Sequence, residues 1–257
     1  MGTLGWRIAP IFFLSVREFV GGKAVRAVFA LGLIPALFAL IYRINPDVDR
    51  PRRFLDDIVI QVMLPSVLPL ATLILATGAF GDEIDDRTLP YLVLKPITRI
   101  RIVLEKLVAS AAVSFPIIAI GGVLSWFLVF TSNGGNNTDM LWGILAATAV
   151  GVVLYSAVFV LMSLLIRRAI LAAIIYSLVW ESVLGRFIPG LRYLSIRHVV
   201  TSVYTSTVHA LEPSGRPDFG LGIDKAFSVQ GALVGSAIVC AIAILLSTWR
   251  LRKINID

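Results

Sequence analysis

The residues of this chain best suited to chemistry are four carboxylates within five positions. Asp82, Glu83, Asp85 and Asp86 open the stretch GDEIDDRTLPYLVLKPITR, residues 81–99. Clustered carboxylates can hold Mg²⁺ together with substrate phosphates, the chemistry of membrane prenyl- and phosphatidyl-transferases. Prenyl transfer calls for two facing acidic clusters, and the other acidic pair, Asp56-Asp57, stands across a long apolar run. The D-G-x-x-A-R pattern of phosphatidyl transfer is missing. His198 and His209 are the two histidines, eleven positions apart, and read as structural rather than metal-ligating residues. Cys240 is a lone cysteine inside an apolar run, which excludes an intrachain disulfide or a cysteine metal cluster. Neither H-E-x-x-H nor G-x-S-x-G occurs. The nearest approach to a phosphate-binding G-x-x-x-x-G-K-[ST] loop is GGKA at 21–24, so ATP is not expected to bind this chain itself. Glu181, beside Trp180 and five residues before Arg186, is the clearest charge inside an apolar run. It reads either as a buried acid lining a translocation path or as an interfacial Glu helped by Arg186.

What must position these residues is a membrane-embedded scaffold. Of the 257 residues, 58% are hydrophobic and 15% charged, where a soluble domain carries about 25% charge. Mean hydropathy is +0.89. The net charge of +7 comes from Lys and Arg beside the apolar runs, as expected for membrane orientation and anionic headgroups rather than nucleic acid. The opening MGTLGWRIAP shows no cleavable signal, and Trp6 breaks the myristoylation pattern. Six runs reach the roughly 20 residues a span needs: about 25–44, 58–80, 103–130, 141–166, 169–188 and 229–249. All six are expected to be helices, because backbone groups in lipid need internal partners.

Before the first run, IAPIFFLSVREFVGGK mixes Ile8, Ile11, Phe12, Leu14 and Phe19 with Arg7, Arg17 and Lys23. Residues 1–23 therefore read as an amphipathic interfacial helix ended at Gly21-Gly22. Most of the 23 Lys and Arg residues fall on one side if both termini are cytosolic. That topology puts 81–102 in the cytosol and the turn TSNGGNNTDM (131–140) outside. Arg43, Arg50, Arg52 and Arg53 then share an outer loop with Asp47, Asp49, Asp56 and Asp57. Arg167-Arg168 makes a tight hairpin between the fourth and fifth spans. In the outer segment 186–228, Ile196, Val199, Val200, Val203 and Val208 fall near helical spacing, which predicts a short re-entrant or interfacial helix. Gly143-Ala147-Gly151 and Gly231-Gly235 permit close helix contact. Pro35, Pro65, Pro69 and Pro116 should bend their spans.

The acidic stretch itself parses as a short cytosolic helix. Asp85, Asp86 or Thr88 can cap its start, Pro90 suits its first turn, and Pro96 stops it after Lys95. Leu89, Leu92 and Val93 then form an apolar face that, with Tyr91, can insert into a partner's groove. A plain loop with flanking charges fits the same residues.

The order Glu83, Asp86, Thr88-Leu89, Leu92, Pro96, Arg99 and Lys106 resembles the cytosolic coupling loop of ABC transporter permeases of the type-2 exporter family. Arg87 stands where family members often have Gly. The N-terminal amphipathic helix, the six spans and WESVLGRFIPGLRYLSIRHVV (180–200) extend the resemblance over essentially the whole chain. It implies an all-α integral membrane protein, residues 1–257 forming one permease domain in the plasma or inner membrane. It also implies a separate ATP-binding cassette subunit that holds ATP and Mg²⁺, and a second permease copy, identical or not. The permease itself would be no enzyme and would carry no cofactor. The implied docking residues are Glu83, Asp86, Arg87, Thr88, Leu89, Tyr91, Leu92, Lys95, Pro96 and Arg99, with Trp180 and Glu181 on a possible translocation path. An ATP-independent carrier or channel, a Mg²⁺-dependent membrane transferase and a non-transporting anchor for an ATPase are the competing expectations.

Overall fold

The computed structural model describes residues 10–44, 51–85, 97–131, 137–166, 169–177, 195–211 and 229–253. Among these every regular element is helical, and the chain is an all-helical, multi-pass membrane protein. Among the described residues, five stretches are long and apolar enough to cross a membrane: Lys23–Ile44, Pro51–Gly81, Arg99–Phe130, Thr138–Leu165 and Val234–Leu251. They match five of the six expected spans. The run at 169–188 is described only as far as residue 177, beginning with the short helix α8, Ala169–Ile175.

Helix α1, Pro10–Gly21, stops at Gly22, and α2, Lys23–Gly32, follows directly. Ile11, Ser15 and Phe19, spaced by four, form the buried face of α1, while Phe13, Leu14 and Val20 are exposed. The first apolar run is two helices, because the chain breaks at Leu33 before α3, Ile34–Ile44, whose second residue is Pro35. The second run is longer than its apolar residues suggest. Helix α4, Pro51–Asp57, continues through a π-helical stretch, Ile58–Val67, into α5, Leu68–Asp85. Pro65 lies within the π stretch. It has no N–H to donate and its ring crowds the carbonyl four residues back, a local conflict that a widened π turn relieves.

Helix α6, Arg99–Phe130, and helix α7, Thr138–Leu165, complete the interior. The second and fourth apolar rods are 67% and 61% buried, against 28% and 22% for the first and last. The centre of the bundle is therefore α5 against α7. Helix α9, Ile196–Leu211, packs on α7, and α10, Val229–Lys253, lies along the outside of α6 and α7. Helix α7 ends at Leu165 and α8 starts at Ala169, and the two helices pack together; Arg167-Arg168, the expected hairpin turn, lie outside the described residues.

Two close approaches fix this arrangement. A Cβ at Gly121 of α6 would stand 1.8 Å from the Gly32 carbonyl oxygen, so the first and third rods cross backbone to backbone. On α7, a Cβ at Gly143 would meet Val208 and Tyr204, and one at Gly151 would meet Leu68 and Val200. Rising numbers on α7 thus meet falling numbers on α9, which runs antiparallel to it from its Thr138 end to about its midpoint. The expected role of Gly143-Ala147-Gly151 holds. Gly235 does not share it, since nothing lies within 4 Å of its Cβ position.

Candidate functional site

The site begins where α5 ends and α6 starts. Three of the four clustered acids, Asp82, Glu83 and Asp85, belong to the last turn of α5 rather than to a loop. Arg99 is the first residue of α6. The expected loop 81–102 is thereby shortened at both ends. Asp86, Arg87, Thr88, Leu89, Tyr91, Leu92, Lys95 and Pro96 lie outside the described residues, as do Trp180 and Glu181.

Both flanks of the 86–96 segment are tied into the bundle. An acid in the last turn of a helix opposes the helix dipole, and Glu83 meets a compensating cation. The Lys106 ammonium lies 2.8 Å from Glu83 Oε1, and Lys106 is 2% exposed. Lys106 also donates to the Ala79 carbonyl and sits 4.8 Å from the Phe80 ring centroid. Its charge is thus answered by a carboxylate, a carbonyl and an aromatic face, as a buried ammonium requires. On the other flank, Arg99 Nη1 donates to the Leu251 carbonyl at 2.5 Å. That oxygen lies in the last turn of α10, where carbonyls have no partner within the helix and a cation is favoured.

Beside Lys106, the Glu105 carboxylate faces α1. Glu105 Oε2 accepts the backbone N–H of Ile11 at 2.9 Å and of Phe12 at 3.1 Å. Glu105 Oε1 takes Arg101 Nε at 2.6 Å. The first turn of a helix offers unpaired N–H groups and positive dipole character, so Glu105 acts as a cap supplied from another helix. In this way the Glu83, Arg99, Glu105 and Lys106 ties join α1, α5, α6 and α10 at one end of the bundle.

A second polar cluster occupies the opposite end. Residues 51–57 are helical, which corrects the expectation that Arg52, Arg53, Asp56 and Asp57 sit in an outer loop. Arg52 reaches Asp139, in the first turn of α7, at 2.5 Å, and Asn137 Oδ1 at 3.3 Å. Asp56 is buried and accepts the Tyr204 hydroxyl at 2.6 Å. Burial pushes that hydroxyl well above its usual range, with nearby Asp56 adding to the shift, so Tyr204 remains a neutral donor. Trp126 Nε1 donates to the Asn137 carbonyl at 2.8 Å. Ser195 Oγ accepts the His198 N–H at 3.4 Å and starts α9 in the manner of a capping serine.

The two acidic groups cannot share an ion. Asp56 and Glu83 are 27 positions apart on one rod, roughly 40 Å at 1.5 Å per residue. Among the described residues no group of three His, Cys, Asp or Glu side chains is placed to hold a metal. Each flank of the 86–96 segment is anchored on a different helix.

The sequence reading missed Glu105 as a cap, the Tyr204–Asp56 pair and the Gly32–Gly121 crossing. Arg101 and Glu105 were visible as an i, i+4 pair at the head of a span. Nothing in local spacing links position 56 to 204. Val199, expected on the buried face of α9, is half-buried, and Tyr204 holds the interior position instead.

Residues 28–256 match the family described as Protein of unknown function (DUF2705), and the chain belongs to that family. No curated protein matches the chain.

Proposed function

We propose that this DUF2705 protein is the membrane-spanning permease subunit of an ATP-binding cassette exporter of the type-2 kind. In this reading it has six spans, both termini are cytosolic, and a separate ATPase subunit docks on residues 86–96. The observation that carries the reading is the anchoring of both flanks of that segment. A push delivered between residues 86 and 96 meets Glu83, held by Lys106 of α6, and Arg99, held by the end of α10. Force is then delivered to helices that cross the membrane rather than dissipated in a slack connection. The absence of a phosphate-binding loop in the sequence supports placing ATP chemistry on the partner. Leu89, Tyr91 and Leu92 are the proposed anchors in the ATPase cleft, and Asp86, Arg87 and Lys95 set register and partner choice. Helix α9, seated against one half of α7, is the proposed outer gate.

The test is co-reconstitution with a candidate ATP-binding cassette subunit, sought first among the products of neighbouring genes. Leu89→Asp combined with Leu92→Asp should abolish partner-dependent ATP turnover while the protein still inserts in the membrane. Unaltered coupled turnover in that variant overturns the docking reading.

A further inference from the structure

A cleft of about 520 Å³ opens where α1 and α2 meet α6, within the roughly 300–1,000 Å³ range of small-molecule sites. Val16 and Val20 of α1, Phe29 of α2, and Ala112 and Pro116 of α6 are among its lining residues, and Arg26 is its one charged side chain. The depth of the cleft can be read from α6. Lys106 and Trp126 mark the two polar ends of this helix, the first paired with Glu83 and the second bonded to Asn137. They are twenty residues apart, about 30 Å, the thickness of a hydrocarbon core. Ala112 and Pro116 therefore lie about 9 and 15 Å inside Lys106. The cleft therefore runs from about 9 Å inside the Lys106 boundary to the middle of the hydrocarbon core, the depth of the acyl chains of one leaflet.

Arg26, in the first turn of α2, is exposed and forms no ion pair among the described residues; the same holds for Lys23, one turn earlier. A cation on an apolar, lipid-facing surface is costly unless an anion reaches it or the side chain extends to the headgroups. The exposed Phe13, Leu14 and Val20 of α1 continue the apolar surface beside the cleft. An apolar groove with one unpaired guanidinium at its edge has the charge and shape complement of an amphiphile whose head is anionic.

We propose that this cleft binds an anionic glycerophospholipid, one acyl chain lying between α1 and α6 and its phosphate on the Arg26 guanidinium. The planar fork of Arg suits a phosphate bidentately. The site sits on the face of α6 carrying α1, whose first turn is capped by Glu105. A bound lipid would thus brace the junction of α1, α2 and α6. The proposal is independent of the exporter reading.

The full chain, purified in detergent, is titrated with phosphatidylglycerol and with phosphatidylcholine of the same acyl composition, and bound lipid is counted by native mass spectrometry. Phosphatidylglycerol should bind about tenfold more tightly, a difference worth about 1.4 kcal/mol. Arg26→Gln should erase the preference and Arg26→Lys should keep part of it. Ala112→Trp, which fills the groove from an exposed position, should weaken both lipids. Equal affinity of the wild type for the two lipids overturns the proposal, as does a preference that survives Arg26→Gln. Undiminished binding in Ala112→Trp also overturns it. So does efficient Val20→Cys cross-linking between copies in vesicles, which would make the occupant a second copy of this chain.

Discussion

The Lys106–Glu83 tie can be tested on its own energetics. At 2.8 Å the attraction between unit charges is roughly 6 kcal/mol at an effective dielectric of about 20. Desolvating an ammonium that is 2% exposed offsets most of that gain. The net value of the intact pair is therefore small, whereas removing one partner is expensive. Lys106→Met keeps the bulk of the side chain and deletes its charge. Breaking a buried pair in this way costs about 3–5 kcal/mol. Glu83 is 19% exposed, so water recovers part of the loss, and about 2–3 kcal/mol is expected. Glu83→Gln in the Lys106→Met background should restore most of it, giving a coupling energy of about 2 kcal/mol. Thermal unfolding in detergent, followed by helical circular dichroism, is the assay. At about 2–4 °C per kcal/mol for a chain of this size, the midpoint should fall about 4–12 °C in the single variant and recover in the double. A Lys106→Met protein that melts with the wild type refutes the reasoning. So does a double variant whose loss equals the sum of the two single losses.

Three further expectations follow from packing and hydrogen bonding. Gly121→Ala places a methyl group 1.8 Å from the Gly32 carbonyl; it should cost about 3 kcal/mol or more and lower the yield of monodisperse protein on size exclusion. Gly235→Ala, with nothing within 4 Å, should be neutral or gain up to about 1 kcal/mol from helix propensity. Tyr204→Phe leaves the buried Asp56 without its hydroxyl donor and should cost about 1–3 kcal/mol. It should also raise the thiol-reagent accessibility of a cysteine introduced at Val208; unchanged labelling would show that this bond does not hold α9 in place.

The spans were legible in the sequence because lipid imposes a single-residue-type demand: a helix in hydrocarbon must be apolar over about 20 residues wherever it stands. The ends were less so. Helix α4–α5 overruns its apolar run on both sides, taking Arg52 and Asp56 at one end and Glu83 and Asp85 at the other. Charges there read as loop because their partners, Asp139, Tyr204 and Lys106, are supplied by other helices. The Gly143-Ala147-Gly151 stripe was readable by its four-residue period, yet the identical signal at Gly235 marks no contact. Small size permits close approach without specifying a neighbour. Lys106 was visible as a charge at the head of a span, but its burial depends on Ala79, Phe80 and Glu83 of another helix. The segment 86–96 and the Trp180–Glu181 pair lie outside the described residues, so their proposed roles rest on sequence.

The rod from Pro51 to Asp85 is clamped at both extremities, by Tyr204 on Asp56 and by Lys106 on Glu83. Between the clamps, Ile58–Val67 is wound differently from the helix on either side. A uniformly wound shaft held at two points has one permitted angle between its ends. Here the angle between the Asp56 end and the Glu83 end is set by the π stretch and differs from the one a uniform α-helix of the same length would give. The orientation of Asp56 relative to Glu83 is thus fixed by the winding around Pro65 as much as by the partners that hold the two ends.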